Sequence, residues 1–246
     1  MRIKLINPNS STHMSQAIEE GARAICLPDT EIVVTTSRMG PVNIECKYDE
    51  GLAVPGILQE IEDGERENGF DGYIIACFDD PGLYAAREIT KKPVIGIAET
   101  AIATARFLAP SFSVVSVLNR SIYMNRDLVA RLGAQSFCRS IRSTGMSISQ
   151  FEQDPDAGIK ALKTQSQRAV LEDGAESIVL GCAGFVQFAK ELQNELSVPV
   201  VEGVQPAIKC IESLIHLNYH TSKINSYCIP SKKTYTGYPQ IFYGNN

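Results

Sequence analysis

Two cysteines stand in matching sequence contexts, and a pair of thiols can take a proton from one face of a carbon atom and return one to the other face. Cys77 and Cys182 each end an apolar, strand-like run, and each follows a glycine, Gly69 or Gly174, by eight positions. A Pro-Val pair comes 16 or 17 positions after each cysteine. Two similar half-sites that each offer a thiol therefore predict one carbon atom approached from both sides.

The elements around the cysteines form a pattern of alternating strands and helices that occurs twice. The predicted strands cover residues 1–6, 31–37, 72–76 and 94–98 in the first copy, and residues 112–118, 137–143, 177–180 and 198–201 in the second. Such alternation is typical of parallel sheets with right-handed helical crossovers. We therefore predict an α/β fold with two pseudo-symmetric halves, each a parallel sheet flanked by helices, and an active site in the cleft between them.

The predicted helices indicate how the chain divides between the halves. They cover residues 14–24, 51–68, 99–108, 123–132, 157–173, 186–195 and 206–217, with a further helix start at Asp79-Asp80-Pro81. We expect the last helix to fold back onto the first half, which then comprises residues 1–98 and 207–226. Residues 99–206 form the second half, and residues 227–246 form a Tyr-rich C-terminal tail whose role the sequence leaves open.

The loops that follow the strands are where a ligand is expected, because open parallel sheets bind ligands outside the carboxyl ends of their strands. A helix N-terminus beside each cysteine would favour the thiolate. Asp79 and Asp80 would instead raise the pKa of the Cys77 thiol, whereas no charged residue flanks Cys182. Asp80 precedes Pro81 and is interpreted as the cap of the helix that follows. Which cysteine is the resting thiolate is left open.

Composition and motifs exclude several classes of protein. The chain of 246 residues is 44% apolar with a net charge of −5, no Trp and no basic run, so neither nucleic acid nor a membrane is an expected partner. Seven scattered cysteines and three histidines without a ligand set predict free thiols, a cytoplasmic protein and no metal. The chain carries no GxGxxG or Walker motif, which disfavours phosphate-bearing cofactors.

Six segments together resemble the Asp/Glu/hydantoin racemase superfamily, and within it the hydantoin and allantoin racemase branch, along nearly the whole chain. They are Ile6-Asn-Pro-Asn9, Gly40-Pro-Val-Asn-Ile-Glu45, Ala76-Cys-Phe-Asp-Asp-Pro-Gly82, Pro93-Val-Ile-Gly-Ile-Ala98, Leu180-Gly-Cys-Ala-Gly184 and Val198-Pro-Val-Val-Glu-Gly203. The resemblance implies two pseudo-symmetric α/β halves, no cofactor, and two catalytic cysteines, which correspond to Cys77 and Cys182.

Departures from the amino-acid racemases of this superfamily bear on the substrate. Those enzymes carry Cys-Asn-Thr and Gly-Cys-Thr-His, where this chain has Cys77-Phe-Asp and Gly181-Cys-Ala-Gly. The groups expected to hold an amino acid are missing, and Asp79 would repel a carboxylate. A small neutral cyclic amide is therefore the expected partner. The predicted substrate-binding residues are Asn9, Pro41, Ile44, Phe78, Asp79, Ala183 and Gly184.

The sequence thus predicts an isomerase, a cofactor-independent racemase of 5-substituted hydantoins. One thiolate removes the C5 proton, the opposite thiol donates one, and backbone N–H groups after each cysteine bind the enolate oxygen. Allantoin is a leading candidate, which would place the enzyme in purine catabolism and nitrogen metabolism, although the C5 substituent is left open. A homo-oligomer is expected only because it is the common case.

Several other functions stay open at this point. The first alternative is an aspartate- or glutamate-type amino-acid racemase, and the second is a small-molecule binding protein without turnover. A cysteine hydrolase would depend on His13, the one histidine near the strand-end edge. The related arylmalonate decarboxylases use a single cysteine, so the pair in this chain favours racemisation.

Overall fold

Strands apolar enough to be covered on both faces build the centre of each half. The computed structural model describes residues 1–236. The first half contains β1 (Arg2–Asn7), α1 (Thr12–Arg23), β2 (Glu31–Thr36), α2 (Lys47–Glu67), β3 (Gly72–Ile75), α3 (Leu83–Ile89) and β4 (Val94–Gly96). Helix α4 (Ile97–Leu108) then leads into the second half.

The second half repeats this order with two additional short segments. It contains β5 (Phe112–Ser116), α5 (Ser121–Arg131), β6 (Cys138–Ser143), α6 (Ile148–Gln153), α7 (Pro155–Leu171), β7 (Ile178–Leu180), a 3-10 turn (Ala183–Phe188), α8 (Ala189–Leu196) and β8 (Val200–Val201). Helix α9 (Val204–His216) follows, and a short 3-10 turn covers Asn225–Tyr227. Within residues 1–236, none of the helices is both long and apolar enough to cross a bilayer.

Both sheets are parallel and share one strand order. The first sheet runs β2-β1-β3-β4 and the second runs β6-β5-β7-β8, so each strand of one half has an equivalent in the other. The register agrees as well, because Ile6 pairs with Ile75 in the first sheet and Val115 pairs with Leu180 in the second. The predicted fold class, two pseudo-symmetric parallel α/β halves, is confirmed.

Helices α4 and α9 tie the two halves together. Ile208 and Ile211 of α9 pack in one core cluster with Ile3 and Leu5 of β1. A Cβ added to Gly72 of β3 would lie 2.7 Å from Cδ1 of Ile211, so the glycine permits the close approach of α9. Helix α9 therefore packs on the first sheet, as expected for a helix that folds back. The boundaries at residues 98, 206 and 226 stay predictions.

The beginning of the predicted tail lies on α3. Tyr227 stacks on Tyr84 with ring centroids 6.5 Å apart. Lys223 Nζ donates to the main-chain oxygens of Glu88 and Tyr227, each at 3.1 Å, and also to that of Arg87. Residues 237–246 of the tail lie outside the described residues.

The predicted cap role of Asp80 toward its own helix is wrong. Asp80 has a left-handed backbone with a φ of 49°, and α3 begins only at Leu83. Its carboxylate instead accepts from the backbone N–H groups of Ala98 at 3.0 Å and Glu99 at 2.8 Å. Asp80 therefore caps α4, because the buried carboxylate satisfies the free donors at the start of that helix.

Smaller differences concern helix ends. Helix α2 begins at Lys47, four residues before the predicted start, and α6 was not predicted. The predicted helix over residues 186–195 is divided into the 3-10 turn directly after Cys182 and the α-helix α8.

Candidate active site

The two cysteines come from equivalent strand ends. Cys77 lies two residues after Ile75, the last residue of β3, and Cys182 lies two residues after Leu180, the last residue of β7. In the first sheet, β2 lies on one side of β1 and β3 on the other, and in the second sheet β6 and β7 flank β5 in the same way. Such a change of side opens a crevice for a ligand, which lies between β1 and β3 in the first sheet and between β5 and β7 in the second. Both cysteines line the same cavity there.

The cavity draws its walls from both halves. The cavity has a volume of about 70 Å³, which suits a small molecule and not a polymer. Of the described residues that line it, Glu45 and Asp79 carry carboxylates, and none is Lys, Arg or His. The described residues that line it are Asn9, Met14, Asn43, Ile44, Glu45, Ala76, Cys77, Phe78, Asp79, Ser116, Val117, Ser121, Met124, Asn125, Ile148, Gly181, Cys182 and Ala183.

A backbone amide two residues further along the chain contacts each thiol. The N–H of Asp79 donates to the sulfur of Cys77, and the N–H of Gly184 donates to the sulfur of Cys182. The equivalence of the halves therefore extends from strand order to the hydrogen bond on each sulfur. Such a donor favours the thiolate.

Burial nevertheless dominates the acidity of both thiols. It raises the pKa of Cys182 to about 11, and the amide of Gly184 offsets only part of that effect. Burial also raises the pKa of Cys77, and the negative charges of Asp79 and Asp80 raise it further. The predicted effect of these two aspartates is confirmed. The backbone N–H groups after each cysteine lower the thiol pKa as expected, but removal of the sulfur from water outweighs them, so both pKa values are raised overall.

A cluster of charged side chains joins the halves beside Cys77. Lys47 Nζ donates to Asp79 Oδ2 at 2.9 Å and lies 2.7 Å from Glu50 Oε2. From α5 in the second half, Arg131 Nη2 donates to the main-chain oxygen of Asp79 at 3.3 Å. Asp127, also on α5, has Oδ2 3.4 Å from Arg131 Nε.

Asp79 and Glu50 influence each other's ionisation within this cluster. Burial, followed by the hydrogen bond with Glu50, raises the pKa of Asp79. Burial opposes ionisation of Glu50, but the hydrogen bonds with Asp79 and Lys47 lower its pKa overall. Of the two carboxyl groups, Asp79 therefore keeps its proton to the higher pH. The consequence for Cys77 is that its nearest carboxyl group becomes negative only as the pH rises.

The Asn9 carboxamide is held in place by its own loop. Its Oδ1 accepts from Asn7 Nδ2 and from the N–H of Ser11, both at 2.9 Å. In turn, the N–H of Asn9 donates to Asn7 Oδ1 at 3.3 Å. With its oxygen occupied in this way, Asn9 offers its Nδ2 to the cavity as a hydrogen-bond donor.

The structure brings most of the predicted residues together. Seven of the nine line the cavity: Asn9, Ile44, Cys77, Phe78, Asp79, Cys182 and Ala183. Gly184 is not among the lining residues and acts on Cys182 through its amide. Pro41 is also outside the lining, and its carbonyl accepts from the N–H of Ser10 at 3.0 Å.

Sequence reasoning missed the wall formed by the second half. Ser121, Met124 and Asn125 of α5 line the cavity, and Ser116 lines it from the end of β5. The strand-end rule does place Ser116 at the ligand edge of the second sheet, because β5 is equivalent to β1, although Ser116 is not among the predicted site residues. The α5 residues gave no such signal, because only packing of the halves decides which face of that helix meets the cleft.

Two hydrogen bonds close the cleft on the side of α1 and α6. Asn43 Nδ2 donates to Ser149 Oγ at 3.3 Å, and His13 Nδ1 lies 3.0 Å from Glu152 Oε1. In the part of the chain that the structure describes, no group of three or more His, Cys, Asp or Glu side chains is arranged to hold a metal ion. His13 thus contacts a carboxylate of the opposite half and does not line the cavity.

These features define a class of protein, namely an α/β enzyme with two equivalent halves that present two thiols to one small cavity. The model of the Asp/Glu/Hydantoin racemase family matches residues 3–211, and the chain belongs to that family. It is therefore an isomerase of the racemase type.

Relatives of known sequence or structure agree with this assignment. The chain is 48% identical to a hydantoin racemase from Pseudomonas sp. (strain NS671) over 237 residues, which cover 96% of this chain and 95% of the relative. The structure is similar to that of an allantoin racemase from Klebsiella pneumoniae, with a TM-score of 0.93, 40% identity and 96% coverage of both chains. An allantoin racemase from Pseudomonas fluorescens gives a TM-score of 0.90 and 34% identity, with 96% of this chain and all of that chain covered.

Proposed function

We propose that this protein racemises 5-substituted hydantoins, allantoin among them, by proton transfer at C5 through Cys77 and Cys182. The observation that carries the proposal is the placement of both thiols on one small cavity from equivalent strand ends. The names of the relatives, hydantoin racemase and allantoin racemase, support the substrate class.

The reaction needs one thiolate and one thiol. The thiolate takes the C5 proton, and the electron pair of the C–H bond moves onto the adjacent ring carbonyl to give an enolate. The opposite thiol then donates its proton to the other face of C5, the enolate collapses, and the two sulfurs have exchanged protonation states. The negative charges of Asp79 and Asp80 raise the pKa of Cys77 and not that of Cys182, which favours Cys182 as the thiolate in the free enzyme.

The backbone amides near the two cysteines have two different roles, one toward the sulfurs and one toward the enolate oxygen. The amides of Asp79 and Gly184 already donate to the sulfurs, where they stabilise whichever thiolate is present. This leaves the amides of Phe78 and Ala183, one position earlier in each half, as the donors to the enolate oxygen. Preorganised donors of this kind can contribute about 3 to 4 kcal/mol to a transition state.

The charges of the wall support a neutral substrate. The acidic residues Glu45 and Asp79 are among the described lining residues and none of these is Arg or Lys, so a substrate carboxylate would find no cation in the cavity wall. The N–H and C=O groups of a hydantoin ring instead match carboxamide and hydroxyl side chains such as those of Asn9 and Ser116.

The test follows optical rotation and deuterium incorporation of enantiopure allantoin and 5-isopropylhydantoin in D2O. We expect the parent to racemise them with deuterium entering C5, and the Cys77→Ser and Cys182→Ser variants to lose racemisation. The exposed Cys228→Ser variant serves as the control and should behave like the parent. Racemisation at the parental rate by either cavity variant would exclude the two-thiol mechanism.

A further inference from the structure

Asn125 combines deep burial with an oxygen that has no hydrogen-bond partner. It lies on α5, lines the cavity and is 4% exposed. Its Nδ2 donates to the main-chain oxygen of Ser121 at 2.7 Å, whereas its Oδ1 accepts from no group of residues 1–236. Only the amide nitrogen can donate to a carbonyl, so the contact with Ser121 also decides which atom of the carboxamide is the unpaired oxygen.

The Asn125 oxygen differs from other unpaired buried oxygens because its residue lines the cavity. The buried side-chain oxygens of Thr35, Gln59 and Ser166 also lack partners in the described part of the chain, but these residues do not line the cavity. Asp79 lines it, yet Asp79 belongs to the charged cluster with Lys47 and Glu50. Asn125 therefore supplies the buried neutral acceptor that a ligand in the cavity could satisfy.

We propose that Asn125 is a substrate-binding residue whose Oδ1 accepts a hydrogen bond from a ring N–H of the hydantoin. This inference rests on the proposed function. A buried acceptor that stays unpaired is costly, and a ligand N–H removes that cost. The cavity is also lined by the apolar residues Met124 and Phe78, and a hydrogen bond in partly apolar surroundings is stronger than one in water. The residue would select cyclic amides with a free N–H over analogues in which that nitrogen is substituted.

The experiment removes the acceptor from the protein and the donor from the ligand. Asn125→Leu keeps the size of the side chain without its polar atoms, and Asn125→Ala is the second variant if leucine disturbs folding. Racemisation is measured with 5-isopropylhydantoin and its 1-methyl and 3-methyl derivatives. With 5-isopropylhydantoin, kcat/KM should fall about 10- to 100-fold in the variants, as for loss of one buried hydrogen bond.

If the ring nitrogen that donates to Asn125 Oδ1 carries a methyl group, the Asn125 substitutions should have little further effect on kcat/KM. That derivative should already be a poor substrate of the parent and should lose less than about 3-fold further in the variants, because the two changes remove one interaction. The methyl derivative that shows this behaviour identifies the donor nitrogen. Variants that fold like the parent and turn over all three hydantoins with parental kcat/KM would overturn the proposal.

Ser166→Ala provides the matched control. Ser166 is fully buried, its Oγ also has no partner among the described residues, and it lies outside the cavity lining. This variant should retain the parental kcat/KM for every hydantoin, so a loss confined to the Asn125 variants reports on the ligand and not on a buried polar atom in general. A loss of the same size in Ser166→Ala would contradict the proposal.

A binding measurement separates this inference from the proposed function. If the parent does not racemise 5-isopropylhydantoin, the binding role of Asn125 is tested by the thermal shift that this compound causes in the parent and in Asn125→Leu. A shift that depends on Asn125 supports the binding role although racemisation has failed. Equal shifts in both proteins overturn the binding role as well.

Discussion

Cys77 and Cys182 line one cavity from equivalent positions, yet their surroundings differ in charge. Each sulfur accepts from the amide two residues further on, but Asp79 and Asp80 act only on the Cys77 side. The fold therefore supplies two similar thiols of different acidity. A racemase benefits from this difference, because one group must be a thiolate while the other keeps its proton.

The first prediction concerns the pH dependence of racemisation. Both thiol pKa values are raised, that of Cys182 to about 11, so thiolate is scarce at neutral pH. Below its pKa, the thiolate fraction grows about tenfold per pH unit. We expect kcat/KM for allantoin to increase from pH 7 toward pH 10 after subtraction of the spontaneous rate. A polarimetric profile that is flat over this range would contradict raised pKa values for the reacting thiols.

The second prediction isolates the charge beside Cys77. Asp79→Asn removes a carboxylate that raises the pKa of Cys77, so the thiolate fraction of Cys77 should increase. Iodoacetamide reacts with thiolates, and we expect alkylation of Cys77 at pH 9 to accelerate about 3- to 10-fold, as for a change of half to one pKa unit. Alkylation of Cys182 should stay the same. Peptide mass spectrometry measures both sites in one sample.

Asp127→Asn is the matched control for this charge effect. Asp127 belongs to the same charged cluster, with Oδ2 3.8 Å from Lys47 Nζ, but it does not line the cavity. It should leave the alkylation rate of Cys77 unchanged. Because the pKa of Asp79 is itself raised, the difference between Asp79→Asn and the parent should shrink toward pH 6. Equal acceleration in both variants would assign the effect to the cluster and not to the charge of Asp79.

The sequence predicted the sheets and the strand ends well because both follow from local pattern. Continuously apolar runs indicated the strands, and the strand-end rule placed Cys77 and Cys182 at a ligand site. The wall that α5 contributes depends on how two halves pack, so Asn125 carried no local signal. The thiol pKa values also escaped prediction, because burial by distant elements outweighs the amide donors that the adjacent sequence supplies.

The third prediction tests the cap between Asp80 and α4. Asp80→Ala loses both hydrogen bonds to the start of α4 and places alanine in a left-handed conformation, so the free energy of unfolding should fall by about 2 kcal/mol or more. Asp80→Asn keeps one acceptor and tolerates that conformation, so the loss should be smaller. Urea denaturation of the two variants and the parent measures the difference.

The difference in the free energy of unfolding between the parent and Asp80→Asn should also depend on pH. Burial, followed by the charge of Glu99, raises the pKa of Asp80 to about 7 in the folded protein. A folded-state pKa above the unfolded value means that this group lowers the free energy of unfolding as the pH rises from about 4 to about 7. Asparagine does not titrate, so its disadvantage relative to the parent should be greater at pH 5 than at pH 8. An equal difference at both pH values would contradict the raised pKa.

The last prediction compares two glycines of α2 that differ only in what surrounds them. Gly51 has open space around an added Cβ, so Gly51→Ala should raise the free energy of unfolding by about 0.5 to 1 kcal/mol. A Cβ on Gly56 would clash with the main-chain oxygen of Met39 and the side-chain oxygen of Ser37, so Gly56→Ala should lower the free energy of unfolding by about 1 to 3 kcal/mol. The displaced segment leads to Asn43 in the cavity wall, so Gly56→Ala should also raise KM for allantoin, whereas Gly51→Ala should not. Urea denaturation and initial rates test both effects, and equal behaviour of the two variants would show that α2 does not position that wall.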